Sequence, residues 1–264
     1  MIKLNQEKIN IGYFPDGTLL LKQSVPVDFP EERSATIQWL FENNEELVIL
    51  IYLVKHLKSH EITKIHLNLP YIPNARQDRV KGDEDVFTLK YFAETINDLS
   101  FASVTVLDPH SYVAEALIDR IIVQSPKPLV EKVIGSLDST CLTMFYPDEG
   151  AMKRYSNMFE LPYAFGIKKR DWKTGKIQGL TVSGMTEMIK DKDILIVDDI
   201  CSRGGTFYHS AKCLKELGAK NIYLYVTHCE NTILEGELLQ SGLIEKVYTT
   251  DSIFTKEHEK IVVI

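Results

Sequence analysis

Apolar and polar positions along this chain repeat a single unit: a strand-like apolar run, a polar loop carrying charge, then an amphipathic helix pattern. Lys64-Ile65-His66-Leu67-Asn68-Leu69 alternates with a period of two and stops at Pro70, which predicts a strand. After the polar stretch 73–85, Leu89, Phe92, Ala93, Ile96 and Leu99 recur at helical spacing, and 103–107 reads as the next strand. The second half has the same rhythm, with strands over 141–146, 163–167, 193–197 and 221–227 and a turn at 147–150. Past Gly205, the positions of Phe207, Ala211, Leu214 and Leu217 predict a helix that stops at Gly218, a residue suited to a helix C-terminus. The continuous run 47–57 fits a buried helix or a buried strand equally well.

Strands alternating with helices predict an α/β protein: two tandem domains, each a mostly parallel sheet flanked by helices. The economical division is 1–134 and 135–264, joined around 130–138. Ligands of such sheets bind beyond the carboxyl ends of the strands. That directs attention to 76–79, 108–111, 147–150, 168–170 and 198–206, each of which carries charge or a loop suited to phosphate.

Composition narrows the classes. The 264 residues are 44% hydrophobic and 25% charged, which excludes a disordered or fibrous chain. A net charge of −7 argues against nucleic acid as a partner, because that affinity needs a surplus of Lys and Arg. The longest apolar run, 47–54, is far short of a membrane span. The opening residues lack the pattern of a signal peptide, and Cys141, Cys201, Cys213 and Cys229 form no CxxC pair. A cytoplasmic protein with reduced, packed thiols is expected.

The strongest local signal is ILIVDDICSRGGTF. A strand delivers Asp198 and Asp199, and a Gly204-Gly205-Thr206 turn then opens a helix. Glycines let the backbone approach a phosphate, the helix N-terminus offers N–H groups and partial positive charge, and Ser202 and Thr206 add hydroxyl donors. Two carboxylates beside such a cradle suit a sugar phosphate, holding ribose hydroxyls and, directly or through water, magnesium. The bland alternative is a strand–turn–helix in which the aspartates only cap. A Walker loop and a GxGxxG dinucleotide turn are both absent.

VDDICSRGGT resembles the phosphoribosyl-diphosphate loop shared by phosphoribosyltransferases and ribose-phosphate diphosphokinases, the PRPP synthetases (PRPP, 5-phosphoribosyl 1-diphosphate). LPYIPNARQDR resembles the ATP-contacting segment of the second group alone. The similarity continues in order through VFTLKYFAETIN, VLDPHS, FYPDEGAMKR and PYAFGIKKR. The resemblance implies phosphoribosyltransferase-like domains, ATP-side before sugar-side, and transfer of the β,γ-diphosphoryl group of ATP to the 1-hydroxyl of ribose 5-phosphate.

It also implies roles. Arg76, Gln77, Asp78 and His110 would meet ATP, together with Phe14, Asp16 and Gly17 of a hairpin that reaches a neighbouring subunit's nucleotide. Lys168 and Arg170 would be catalytic, at the entrance of a mobile, lysine-rich flap. Asp198, Asp199, Ser202, Arg203, Gly204, Gly205 and Thr206 would hold ribose 5-phosphate, and His110 with Asp148 would hold Mg²⁺. A homo-oligomer, a dimer or a multiple of dimers, follows from the shared hairpin.

The chain departs from the family pattern in places. Ser202-Arg203 replaces Asp-Thr, and Thr18 replaces Glu in the hairpin. By the resemblance, the usual first strand–helix and closing helix would be absent from these 264 residues, an expectation that bears on hexamer assembly and on control by phosphate and ADP. The rival readings are a phosphoribosyltransferase that consumes PRPP, a catalytically silent regulatory subunit, and an unrelated sugar-phosphate binding module. The first would have no use for 70–79, and the second would have lost Lys168, Arg170, His110, Asp148 or Asp198, all of which are present.

Overall fold

The computed structural model describes residues 1–23, 33–137, 141–170 and 177–264, with backbone alone at 168–170 and 177–180. Two compact units, Met1–Ser125 and Pro126–Ile264, make up the chain. Of the stretch expected as a junction, 130–138, residues 130–136 belong to a helix of the second unit.

The first unit contains β1 (Ile2–Leu4), β2 (Glu7–Lys8), a hairpin of β3 (Asn10–Tyr13) and β4 (Leu19–Lys22), and β5 (Ser34–Trp39). These are followed by α1 (Glu45–Ser59), β6 (Lys64–Asn68), α2 (Thr88–Asp98), β7 (Ser103–Leu107), α3 (Tyr112–Leu117) and β8 (Ile121–Gln124). Its sheet has the order β2-β1-β5-β6-β7-β8, parallel from β5 to β8 and antiparallel at the β2-β1-β5 end. The ambiguous run 47–57 is a helix. Ile49, Leu50, Leu53, Val54 and Leu57 are buried at helical spacing, and Val48, Tyr52 and Lys55 form the exposed face.

The second unit contains α4 (Lys127–Ser136), β9 (Leu142–Tyr146), α5 (Glu149–Tyr155), β10 (Tyr163–Arg170), β11 (Ile177–Gly184) and β12 (Asp193–Cys201). Then come α6 (Gly205–Glu216), β13 (Ile222–Cys229), β14 (Lys246–Thr249) and β15 (Ile261–Val263). The sheet order is β11-β10-β9-β12-β13-β14-β15, parallel except for the β10/β11 hairpin. Strand β12 separates two cores. Ile194 and Ile196 pack with Phe207, Ala211 and Leu214 of α6, while Leu195 and Val197 pack with Ala151 and Tyr155 of α5. A strand buried on both faces is apolar throughout, which is why ILIV shows no alternation.

Three local expectations change. The segment 147–150 is the start of α5, because Asp148 accepts the Ala151 N–H at 3.0 Å and caps the helix. Strand β10 runs on through Lys168-Lys169-Arg170, paired with β11, so these residues extend a hairpin instead of opening a loop. The centre of the expected flap, 171–176, lies outside the described residues. Cys201 and Cys229 are buried, but Cys141 is exposed and Cys213 only partly covered; all four are free thiols. Among the described residues no helix is long and apolar enough to cross a membrane.

Candidate active site

In the first unit, the strand ends of β6 and β7 hold the loop 70–87 against 108–111. Leu107 N–H donates to the Pro70 carbonyl at 3.0 Å, and Leu69 N–H to Thr105 at 2.8 Å, so the two loops leave the sheet together. Asp78 ties them. Arg79 donates through Nε and Nη2 to its two carboxylate oxygens at 2.6 and 2.7 Å, and Ser111 Oγ donates at 2.6 Å. Arg79 first, Ser111 and the nearby His110 next, hold the Asp78 carboxyl down at about 2 against the effect of burial. Asp78 is thus engaged inside the protein and shapes the loop. Ser111 also caps α3 by accepting the Val113 N–H at 3.2 Å.

Around this knot, Arg76, Gln77 and His110 are exposed. The Gln77 amide oxygen accepts the Thr88 hydroxyl at 2.8 Å, which orients the amide so that its NH₂ serves as the donor. Asn74, with φ at 64°, makes the turn that delivers Arg76 and Gln77. Ser111 and Thr88 escaped the sequence reading. Nothing in their immediate sequence marks them, since their partners lie 33 and 11 positions away.

Phe14, Asp16 and Gly17 sit on the separate β3–β4 hairpin. Gly17 takes φ at 83° to close its turn. Thr18, the departure from the family's Glu, donates to Asp16 Oδ1 through its N–H at 3.0 Å and its hydroxyl at 2.7 Å. These bonds, the hydroxyl's first, lower the Asp16 pKa. The hairpin turn is therefore braced internally, with Tyr13 and Phe14 exposed at 54% and 49%.

In the second unit, Asp148, Lys168, Asp198 and the loop 202–206 all belong to the carboxyl-terminal edge of the sheet. Register decides this: Phe165 pairs with Tyr146, and Ile196 with Phe145, so the backbones of Lys168, Asp148 and Asp198 emerge side by side from β10, β9 and β12. Burial first, then the charges of Asp199 and Asp148, push the Asp198 carboxyl well above the ordinary carboxylate range. The Asp199 N–H donates to Asp198 Oδ1 at 3.0 Å. Asp199 is buried, with Arg154 Nη1 at 3.4 Å from its Oδ2.

The two loop glycines have different reasons. Gly204 precedes α6 with φ at 77°, and a Cβ there would also press on Leu238. Gly205 has no such demand, since a Cβ would meet open space. Its missing side chain leaves the first-turn N–H groups of α6 uncovered, as an anion cradle requires. Arg203 is exposed and paired with Glu235 at 3.0 Å.

Gly236, which sequence reading missed, packs under the loop. Its φ of −90° suits any residue, but a Cβ would fall on the Arg203 carbonyl. The segment 230–238 braces the cradle from behind, helped by the Glu230 N–H donating to the Cys201 carbonyl at 2.8 Å. A lone glycine between two glutamates gives no signal of this contact.

For a metal, Asp148 offers a hard oxygen donor, one oxygen of which already serves the α5 cap. Among the described residues no group of three or more His, Cys, Asp or Glu is placed to hold a metal by itself. A cation held mainly by substrate phosphates and one or two carboxylates, the habit of Mg²⁺, fits that donor set. Of the two residues expected to share it, His110 belongs to the first unit and Asp148 to the second.

The strand–acidic pair–glycine loop–helix arrangement defines a phosphoribosyltransferase-type fold, and comparison with known proteins agrees. The family described as "Phosphoribosyl transferase domain" matches residues 150–247. A ribose-phosphate pyrophosphokinase of Ureaplasma parvum is 30% identical over 237 residues, 86% of this chain and 69% of that protein. One from Sulfolobus acidocaldarius is 27% identical over 255 residues, 93% of this chain and 84% of its own length. Phosphoribosylpyrophosphate synthetase from Mycobacterium smegmatis, at 20% identity, shares the fold with a TM-score of 0.77 over 97% of this chain and 85% of its own. The chain belongs to the ribose-phosphate pyrophosphokinase family.

Proposed function

We propose that this chain is a ribose-phosphate diphosphokinase, converting ATP and ribose 5-phosphate to PRPP and AMP. The observation that carries the reading is the Asp198-Asp199 strand end beside an open, glycine-built cradle at the head of α6, in a chain whose relatives are named for that reaction. The 1-hydroxyl oxygen of the ribose forms a bond to the β-phosphorus as the bond to the α,β-bridging oxygen breaks. AMP leaves with the bridging oxygen, and the hydroxyl proton passes to solvent.

The protein's part is positioning and charge compensation. Arg76 and the Gln77 NH₂ serve the nucleotide, with Asp78 holding their loop to Ser111. Ser202, Gly205 and Thr206 take the 5-phosphate, and Asp198 accepts from ribose hydroxyls. Lys168 and Arg170 stabilise the charge that develops during transfer. Magnesium, when bound at Asp148 and the phosphates, neutralises phosphate charge. The reading extends to a homo-oligomer in which Phe14 meets a neighbouring copy's nucleotide; the exposure of Tyr13 and Phe14 supports it.

Incubation with ATP, Mg²⁺ and ribose 5-phosphate, followed by nucleotide chromatography, tests the assignment. AMP formed only when the sugar phosphate is present supports it; ADP in its place would mean an ordinary kinase. The brace gives a second expectation. Gly236→Ala must displace the Arg203 carbonyl and with it the cradle, so the KM for ribose 5-phosphate should rise by about tenfold or more, with the KM for ATP little changed. Steady-state kinetics with each substrate varied in turn checks the split.

A further inference from the structure

The two carboxylates at the end of β12 are neighbours in sequence but do not share a face. Successive side chains of a strand point to opposite sides of the sheet. Along β12, Ile194 and Ile196 face the α6 core, and Leu195 and Val197 face the α5 core. One further step of the alternation turns Asp198 toward α6 and the cradle and Asp199 toward α5, where it meets Arg154; by Cys201, which packs with Ile194 and Ile196 in the α6 core, the alternation has broken. Burial follows the same pattern, since Asp198 is partly exposed and Asp199 is 6% exposed.

On the α5 side Asp199 meets Arg154, from the last turn of that helix. Nη1 lies 3.4 Å from Oδ2, with the two side chains only 14% and 8% exposed. The guanidinium also lies over the Tyr155 ring, 5.5 Å from its centroid, and Tyr155 stacks with Tyr146 in the core beneath. Arg154 is therefore set in place by packing as well as by charge. A carboxylate this buried demands a cation, and the guanidinium supplies it.

We propose that Arg154 is a positioning residue for the sugar site: it holds Asp199 on the α5 face and leaves Asp198 as the one carboxylate of the pair that meets the ribose. This rests on the ribose 5-phosphate reading of the cradle. Because α5 begins at Asp148 and ends near Arg154, one short helix joins the Asp148 edge to the floor of the sugar site.

The test is a pair of variants read by calorimetric binding of ribose 5-phosphate and by separate KM values for the two substrates. Arg154→Met takes the guanidinium away from a buried carboxylate, so ribose 5-phosphate affinity should fall about tenfold or more while the KM for ATP moves less than about twofold. Adding Asp199→Asn to that variant removes the charge the guanidinium had faced, and most of the lost affinity should return. Arg154→Lys keeps the charge without the planar fork and should fall between. If the double variant binds the sugar phosphate worse than Arg154→Met alone, Asp199 contacts the sugar directly and the inference is wrong. It is equally wrong if Arg154→Met and Arg154→Lys both bind as the unaltered protein does, or if both substrates weaken together. Should Arg154→Met not fold, the same comparison runs between Arg154→Lys and its Asp199→Asn double. Absence of AMP from the unaltered protein would overturn the proposed reaction, whereas the calorimetric comparison would still judge Arg154.

Discussion

Lys168→Ala should lower kcat by about 10² or more while leaving ATP affinity within about twofold of the unaltered protein. The transferring β,γ-diphosphoryl group spreads negative charge over its oxygens in the transition state, and a fixed cation is worth more there than in the ground state. The backbone of Lys168 continues β10 beyond its last pairing with β9, level with the start of α5 and next to the Asp148 edge. A cation on a strand paired with β11 needs little reorganisation compared with one on a free loop. Rapid-quench measurement of AMP formation alongside equilibrium ATP binding separates the two quantities. Near-full kcat in the variant would remove Lys168 from the transfer step.

Asp198→Asn should have two effects of opposite sign. The KM for ribose 5-phosphate should rise by about tenfold or more, because a charged acceptor of hydroxyl hydrogen bonds becomes a neutral one, and a bond to a charged group contributes about 1.5–3 kcal/mol. The KM for ATP should change far less. Thermal stability should increase at the same time. Burial and the charges of Asp199 and Asp148 raise the Asp198 pKa above its unfolded value of about 3.9, so ionisation destabilises the folded state as the pH rises past that value. Asparagine retains an oxygen to accept the Asp199 N–H and carries no charge. Melting curves of both proteins at neutral pH should show the variant higher, with the difference vanishing in acid where Asp198 is protonated. Equal KM effects on both substrates would show that the carboxylate is misassigned; a lower melting temperature would show that its charge is compensated in the fold.

Stability sacrificed at a binding site is the usual sign that a side chain is kept for its ligand. The same edge shows the reverse arrangement at Asp199, whose charge is matched by Arg154. One carboxylate of the pair faces a guanidinium, and the other is partly open.

Much of this was legible in the sequence because it depends on short-range pattern. Period-two and helical spacings placed β6, α2, β7 and α6, a continuous apolar run placed β12, and Gly218 with φ at 88° ends α6 where a capping glycine was expected. The motif at 198–206 could be read as a cradle because strand, acidic pair, glycines and helix are contiguous. Strands β1, β5 and β8 and helices α3 and α4 passed unread, although β5 buries Ala35, Ile37 and Trp39 in strict alternation. The helix α1 was undecidable because its exposed face carries Val48 and Tyr52, so the helical period of burial does not show in residue type.

What the tertiary structure decided are the relations between distant positions. Asp78 looks like one more charged residue of an exposed loop until Ser111, 33 positions on, is found bonded to it. Gly236 has an ordinary backbone conformation, and only the passage of the Arg203 carbonyl over it explains why it has no side chain. Asp198 and Asp199 are chemically identical and adjacent, so sequence assigns both to the sugar. Their faces are told apart by which core each neighbours, and that follows from packing α5 and α6 on opposite sides of one strand. Local pattern is set by backbone sterics and side-chain periodicity, which act within a few residues. The difference in surroundings between the two aspartates comes from burial and from a cation 45 positions away, which only the folded chain brings together.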